Sequence, residues 1–284
     1  MNLEIIAVYK NLKDYVAGLE NDVENADVLW NKYAIDPYWE KLCQYAPFDL
    51  SDRKPKPVTN LQTLKKQIDL LNKIDLDNLK DIFEKIASAL PINEDDTIYI
   101  ALYPLSDDNT AVKERQNGVA GTSTFGNMLI SINPLADNFL EWIPYVFAHE
   151  YHHTVWGNYW YALHGGELDN RFINSLLIDG QADSFALSFY PGLKPKWLFD
   201  MSKETEKALW EKHYSKVYLE PDVDYGKYMF GDEANKIPWC AGYAIGYRIV
   251  QQFLLRNPNT SFLKLLEMRP LDIYKLSGYA PTVI

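Results

Sequence analysis

Residues 139–157 read FLEWIPYVFAHEYHHTVWG, and the architecture of the chain depends on how this stretch is read. Trp, Tyr, Phe and Ile dominate it. Pro144 suits an early turn and Gly157 suits a helix end, so a helix is expected from about Asp137 or Asn138 to Gly157. Its one strongly polar stretch is His149-Glu150-Tyr151-His152-His153. At about 100° per residue, positions i and i+4 share a helical face, so His149 and His153 aim their imidazoles at one point, as two ligands of a Zn2+ ion must. Glu150 is offset toward an adjacent position, where its carboxylate can take the proton of zinc-activated water during attack on a carbonyl. The rest of the helix is apolar and therefore expected to be buried, where two imidazoles and a carboxylate are costly without a metal or hydrogen-bond partners. His152 is turned about 100° from His153 and reads as a supporting group around the site, with an alternative ligand role left open.

A catalytic zinc site needs a third protein ligand and an open position. The pattern that recruits a third His through a Gly turn fails, because Trp156 and Tyr159 stand where Gly and His are needed. The remaining solution is an acid from a following helix. Glu167, Asp169 and Asp179 come first along the chain. The first two lie in a Gly-containing loop and read as solvated. Asp179 lies within the apolar run Asn174-Ser175-Leu176-Leu177-Ile178-Asp179-Gly180-Gln181-Ala182-Asp183 and is the expected ligand. Asp183 lies one turn later on the same face, so one carboxylate of the pair can ligate the metal while the other accepts a hydrogen bond from a ligand imidazole and fixes its tautomer; the alternative reading is a solvated acidic face or helix cap.

Outward from the motif, residues 97–103 (TIYIALY) are β-branched and aromatic and stop at Pro104, which predicts a buried strand. Residues 118–125 and 128–132 read as two further strands joined through Gly126-Asn127, a hairpin signal. Before them, residues 11–52, 61–74 and 79–90 show apolar positions at helical spacing, and residues 172–190, 203–214, 239–255 and 263–268 do so after the motif. The expected class is α+β: a helical N-terminal region at 1–90, then a domain at 95–284 with a small mixed sheet, the motif helix and a mostly helical C-terminal part.

Length alone suggests about two domains, at roughly 150 residues each, and fits one large domain or a catalytic unit split by its cleft equally well. The 284 residues are 47% hydrophobic and 14% aromatic, which excludes disorder, collagen and coiled coil. A net charge of −11 repels phosphate backbones and anionic lipid, so neither nucleic acid nor a membrane surface is the expected partner. Cys43 and Cys240 match neither a disulfide framework nor a Cys-based zinc site and read as two buried thiols in a reducing compartment. The start, Met1-Asn2-Leu3-Glu4-Ile5-Ile6, lacks a secretory pattern and no segment reaches the length of a membrane span, so a cytoplasmic protein is expected. No motif encodes an oligomeric state.

The HEYHH motif, the acid-Gly-x-Ala-acid segment at residues 179–183, and Gly242-Tyr243-Ala244-Ile245-Gly246-Tyr247-Arg248, in this order, resemble the YjaZ-like family of predicted zinc-dependent bacterial proteases over residues 95–255. The resemblance implies a gluzincin-like, zincin-fold peptidase domain acting on a peptide or protein, with His149 and His153 as ligands and Glu150 as the catalytic carboxylate. The family usually has Glu where this chain has Asp179, one methylene shorter, so the helix bearing it must come closer or yield the metal to a neighbouring acid or water. Zincin peptidases lay an extended substrate antiparallel to an edge strand, and the likeness makes residues 118–124, with Gly121 and Thr122, the candidate strand. A simple hairpin explains those glycines equally well. Tyr243 and Tyr247, one turn apart with Arg248 beside them, are candidate donors to the oxyanion of amide hydrolysis or else core aromatics on a helix packed through Gly242 and Gly246. His213 and His164 read as incidental. The rival class is a catalytically inactive zinc-binding or chaperone-like protein that keeps a peptide-binding cleft; an intact Glu150 weighs against it and Asp179 weighs for it.

Overall fold

In the computed structural model, which describes residues 2–92, 97–166 and 168–281, the chain forms two compact units, Met1–Asn158 and Tyr159–Ile284. The class is α+β, as expected, with a small mixed sheet of four strands.

In the first unit the sheet contains β1 (Asn2–Ala7), β2 (Thr97–Pro104), β3 (Val119–Ser123) and β4 (Met128–Ile132), in the order β1-β2-β4-β3. β2 runs parallel to both β1 and β4, and β3 pairs antiparallel with β4. β2 is buried on both faces, with Ile100, Ala101, Leu102 and Tyr103 all fully enclosed, which is why it reads as a continuous apolar run. The β3–β4 hairpin forms as expected, but its turn is shifted by one residue. Phe125 and Gly126 occupy the loop, both at positive φ, and Thr124 N–H donates to Asn127 O at 2.8 Å. Asn127 instead turns its side chain inward, accepting from Tyr99 N–H at 2.9 Å and donating to Leu42 O at 3.1 Å.

Helices α1 (Lys13–Asn21), α2 (Ala26–Trp30), α3 (Asp36–Leu42), α4 (Leu61–Leu71) and α5 (Leu76–Ala87) precede β2, and α6 (Thr110–Arg115) precedes β3. Asn60 and Asp75 cap α4 and α5 by accepting from Thr63 N–H and Asn78 N–H. The N-terminal region is not wholly helical: residues 2–7 add a parallel edge strand to β2. Only Leu3 of that strand is buried outright, too little alternation for a period-2 reading. A strand at residues 2–7 joins the first residues to the sheet of the unit that ends at Asn158; of the expected boundary at 90–95, residues 93–96 lie outside the described residues.

α7 (Phe139–Gly157) is the motif helix, in the expected place, and it packs on β3, β4 and α5. Phe147 stacks on Phe83 of α5 with centroids 3.9 Å apart, and Tyr151 donates its hydroxyl to Leu90 O at 2.7 Å. These contacts fix the rotation of α7 about its own axis, and with it the direction of the motif side chains.

The second unit is helical: α8 (Phe172–Phe189), α9 (Lys196–Phe199), α10 (Lys203–Leu209), α11 (Ser215–Val217), α12 (Ala241–Arg256), α13 (Phe262–Glu267) and α14 (Pro270–Ser277). Its core gathers Leu176, Leu177, Ile245, Ile249 and Phe253, where α8 crosses α12. The crossing is a backbone contact. A Cβ on Gly180 would stand 2.7 Å from Tyr247 N and closer to the Gly246 carbonyl, and one on Gly246 would run into the Leu176 carbonyl. Helix α14 escaped the periodicity reading, although Pro270 at its first position and Gly278 at φ 57° just past its end mark both boundaries. Cys240 is buried as expected, whereas Cys43 is partly exposed, and neither forms a disulfide. Among the described residues no helix is long and apolar enough to cross a membrane.

Candidate metal centre

His149 and His153 project from successive turns of α7, their rings edge to face at 82° and their Nε2 atoms 3.0 Å apart. Two nitrogens bound to one tetrahedral zinc at about 2.0–2.1 Å are separated by about 3.3 Å, so this pair fits the two-histidine half of such a site. His152 is fully buried, with its ring 6.3 Å from that of His153, off the face that the pair shares.

Glu150 is 7% exposed and lies against β3. A Cβ at Gly121 would come 2.6 Å from Glu150 Oε1 and 2.7 Å from Val146 Cγ1, and closer still to Glu150 Cγ. The glycine is therefore required by the approach of α7 to the strand, beyond the hairpin reading. Among the described residues β3 is an outer strand of the sheet. Gly118 O accepts from Asn133 N–H at 2.7 Å and Thr124 N–H donates to Asn127 O, so the even positions of β3 make the hydrogen-bonded pairs with β4. By alternation, the N–H and C=O of Gly121 and Ser123 point outward from the sheet. Thr122 faces its main-chain groups inward, and its hydroxyl donates to Gly121 O at 2.8 Å.

In the second unit, Asp179 and Asp183 lie one turn apart on α8, 4% and 0% exposed, so both belong to a buried face and not to a solvated one. Trp197 Nε1–H donates to the Asp183 carboxylate at 3.3 Å. Tyr247 is half-buried on α12; burial first, and the Asp183 carboxylate second, raise its pKa, which keeps the phenol protonated. Tyr243 packs on Phe230, ring centroids 5.7 Å apart, beside the helical core. Arg248, read from the sequence as a neighbour of the tyrosines, is held elsewhere. It pairs with Glu206 Oε2 at 2.6 Å and donates to Met201 O, while Tyr279 donates to the other Glu206 oxygen at 2.6 Å. Asp169 is in an exposed loop with Arg171, 3.3 Å away, as expected of a solvated acid; Glu167 lies outside the described residues. His164 is exposed, its Nδ1 2.7 Å from Tyr159 O.

Two residues beside β3 had no motif to announce them. Arg53 donates to Ser123 O at 2.7 Å across 70 positions of sequence, and Phe125 occupies a left-handed turn position. The only local signal was a bulky residue before Gly126 where Asn or Asp is usual.

A family model described as "Predicted Zn-dependent protease (DUF2268)" matches residues 76–275, well over half of the chain. The chain belongs to this family. The family match contains α7 and α8 whole, and with them both histidines, Glu150 and both aspartates. The chain is also similar to the uncharacterized protein YjfC of Bacillus subtilis (strain 168), 29% identical over 185 residues, which is 62% of this chain and 58% of that protein. It thus spans little more than half the length of that relative. No solved structure matches.

Proposed function

We propose that this chain is a zinc-dependent peptidase that hydrolyses peptide bonds with activated water, built on a zincin-like arrangement of motif helix and edge strand. The observation that carries the reading is the convergence of the His149 and His153 Nε2 atoms while Glu150, next in the chain, is held against the outer strand β3. His149, His153 and Asp179 are the proposed ligands, offering two imidazole nitrogens and a carboxylate oxygen, the ligand types of catalytic zinc sites. When bound, zinc supplies Lewis acidity that makes water nucleophilic near neutral pH and polarises the carbonyl under attack.

The remaining work falls to side chains and main chain. Glu150 accepts the proton of the attacking water on a carboxylate oxygen and passes it to the leaving amine. Gly121 pairs its outward N–H and C=O with a substrate strand running antiparallel to β3, with Thr122 beside it, and so sets the scissile carbonyl near Glu150. Asp183 orients a ligand imidazole by accepting its N–H, and His152 supports the motif from its buried position. Tyr247, kept protonated, donates to the oxyanion, with Tyr243 as the alternative donor. The net charge of −11 disfavours nucleic acid and anionic membrane as partners, and a cytoplasmic setting goes with this reading.

Metal analysis and cleavage of a peptide library test this together. The wild type is expected to hold zinc, Asp179→Ala to lose much of it, and Glu150→Gln to keep zinc and lose cleavage. A wild type without zinc, or a Glu150→Gln variant that cleaves like the wild type, sinks the reading. Zinc without cleavage by the wild type supports the inactive, chaperone-like alternative.

A further inference from the structure

The end of β3 carries an aromatic corner. A two-residue hairpin loop with positive φ at both positions favours Asn, Asp or Gly, yet Phe125 stands first at φ 58°, before Gly126 at 120°. Bulky residues in this conformation are uncommon outside sites where the surroundings enforce them. Here the surroundings do so: Thr124 Oγ1 and Asn127 Nδ2 both donate to Leu42 O, at 2.7 and 3.1 Å, and tie the turn to the end of α3. The Phe125 ring meets Phe48 edge-on at 5.1 Å, and the Arg53 guanidinium lies 5.6 Å over it. Phe48 stays 57% exposed, and Tyr45, 53% exposed, leans on Gly126. Arg53 also occupies Ser123 O, an outward carbonyl of the outer strand. Arg53 thereby takes the last outward carbonyl of β3, and beyond Ser123 the edge continues into the aromatic corner of Phe125 and Phe48.

We propose that Phe48, Phe125 and Arg53 form a substrate subsite that takes a large apolar side chain from the part of the peptide N-terminal to the scissile bond. The inference rests on the peptidase reading, in which the peptide runs antiparallel to β3 past Glu150. An antiparallel strand whose scissile residue faces Gly121 advances about 3.3 Å per residue toward the turn, so the second to fourth residue upstream of the cut reaches the corner. Arg53 satisfies the last edge carbonyl and lies flat over the Phe125 ring, so the corner presents planar groups to the peptide despite the charge.

Acetylated peptide libraries in which one position is either Phe or Ala provide the probe, read as cleavage by the wild type and as binding to Glu150→Gln. The wild type is expected to favour Phe over Ala about tenfold in kcat/KM at one position two to four residues before the cut. In Phe48→Ala and in Phe125→Asn, a residue that suits the left-handed turn, the ratio is expected to fall toward one. Cleavage with no such preference, or with a preference that both variants keep, overturns the subsite and leaves the peptidase reading standing. A Phe preference in binding that the variants abolish, with no cleavage by the wild type, overturns the peptidase reading and leaves the corner as a peptide-binding site for a large apolar side chain. Neither binding nor cleavage overturns both. A dimer that Phe48→Ala dissociates, with peptide preference unchanged, makes the corner a self-association surface and rejects the proposal.

Discussion

Glu150 lies across the bare α-carbon of Gly121, so close that a methyl group there would come 2.6 Å from its Oε1. Strand and helix meet at a residue without a side chain, and the carboxylate occupies the space that a Cβ would take. Gly121→Ala is expected to cost about 1–3 kcal/mol by overpacking. Removing the obstructing carboxylate in the double variant Gly121→Ala/Glu150→Ala should recover part of that loss, the remainder belonging to Val146. Urea denaturation of the four proteins of the cycle measures the coupling, and strictly additive losses would show that the two residues do not press on each other.

The converging histidines predict a metal-linked stability. Zinc at about a hundredfold excess over its dissociation constant adds about 2.7 kcal/mol to the folded state, visible as a rise in thermal midpoint that a chelator reverses. His153→Ala should abolish the rise. A midpoint that climbs equally in that variant would place the binding elsewhere.

At the crossing of α8 and α12, Gly246 has the Leu176 carbonyl where its Cβ would be. Carbonyls within helices do not move aside as side chains do. Gly246→Ala is therefore expected to destabilise the protein by roughly 3 kcal/mol or more, at the severe end of overpacking. Thermal unfolding measures this directly. A variant within about half a kcal/mol of the wild type would mean that the helices part at little cost.

Buried phenols set an alkaline limit. Burial pushes Tyr9 up to about 12, and burial with nearby acids pushes Tyr15 to about 12, against about 10 for an unfolded chain. The folded pKa is the higher one, so these groups contribute fully below about pH 10 and the contribution is lost as pH rises toward 12, at up to about 2–3 kcal/mol each. Stability should hold level to about pH 10 and then fall. Tyrosinate absorbance that develops fully while the circular dichroism stays native would contradict this.

The motif helix was legible because its signal is local: apolar side chains over five turns, a glycine at the end, and two histidines at i and i+4. The same holds for β2, the β3–β4 pair and α8, and for Asp179 and Asp183 on one helical face. β1 was not legible, because a six-residue strand with one buried side chain becomes a strand only through its parallel partner, more than ninety positions away in sequence. Arg53 had no signature either, since its role lies in a carbonyl 70 residues on. The hairpin turn was misplaced by one residue because Asn127, a good turn former, is claimed by Tyr99 and Leu42.

The sequence by itself determined which residues are available for the proposed chemistry and in what spacing. Two imidazoles spaced for one helical face, a carboxylate offset beside them, a following acid pair and only two cysteines come from residue identity and the helical repeat. Tertiary structure alone decided which glycine lies under Glu150, which main-chain groups of β3 face outward, and how that edge ends. Helical periodicity orients a side chain relative to its own axis, whereas contacts between elements depend on register and approach, which are set only when separate segments bury their apolar faces together.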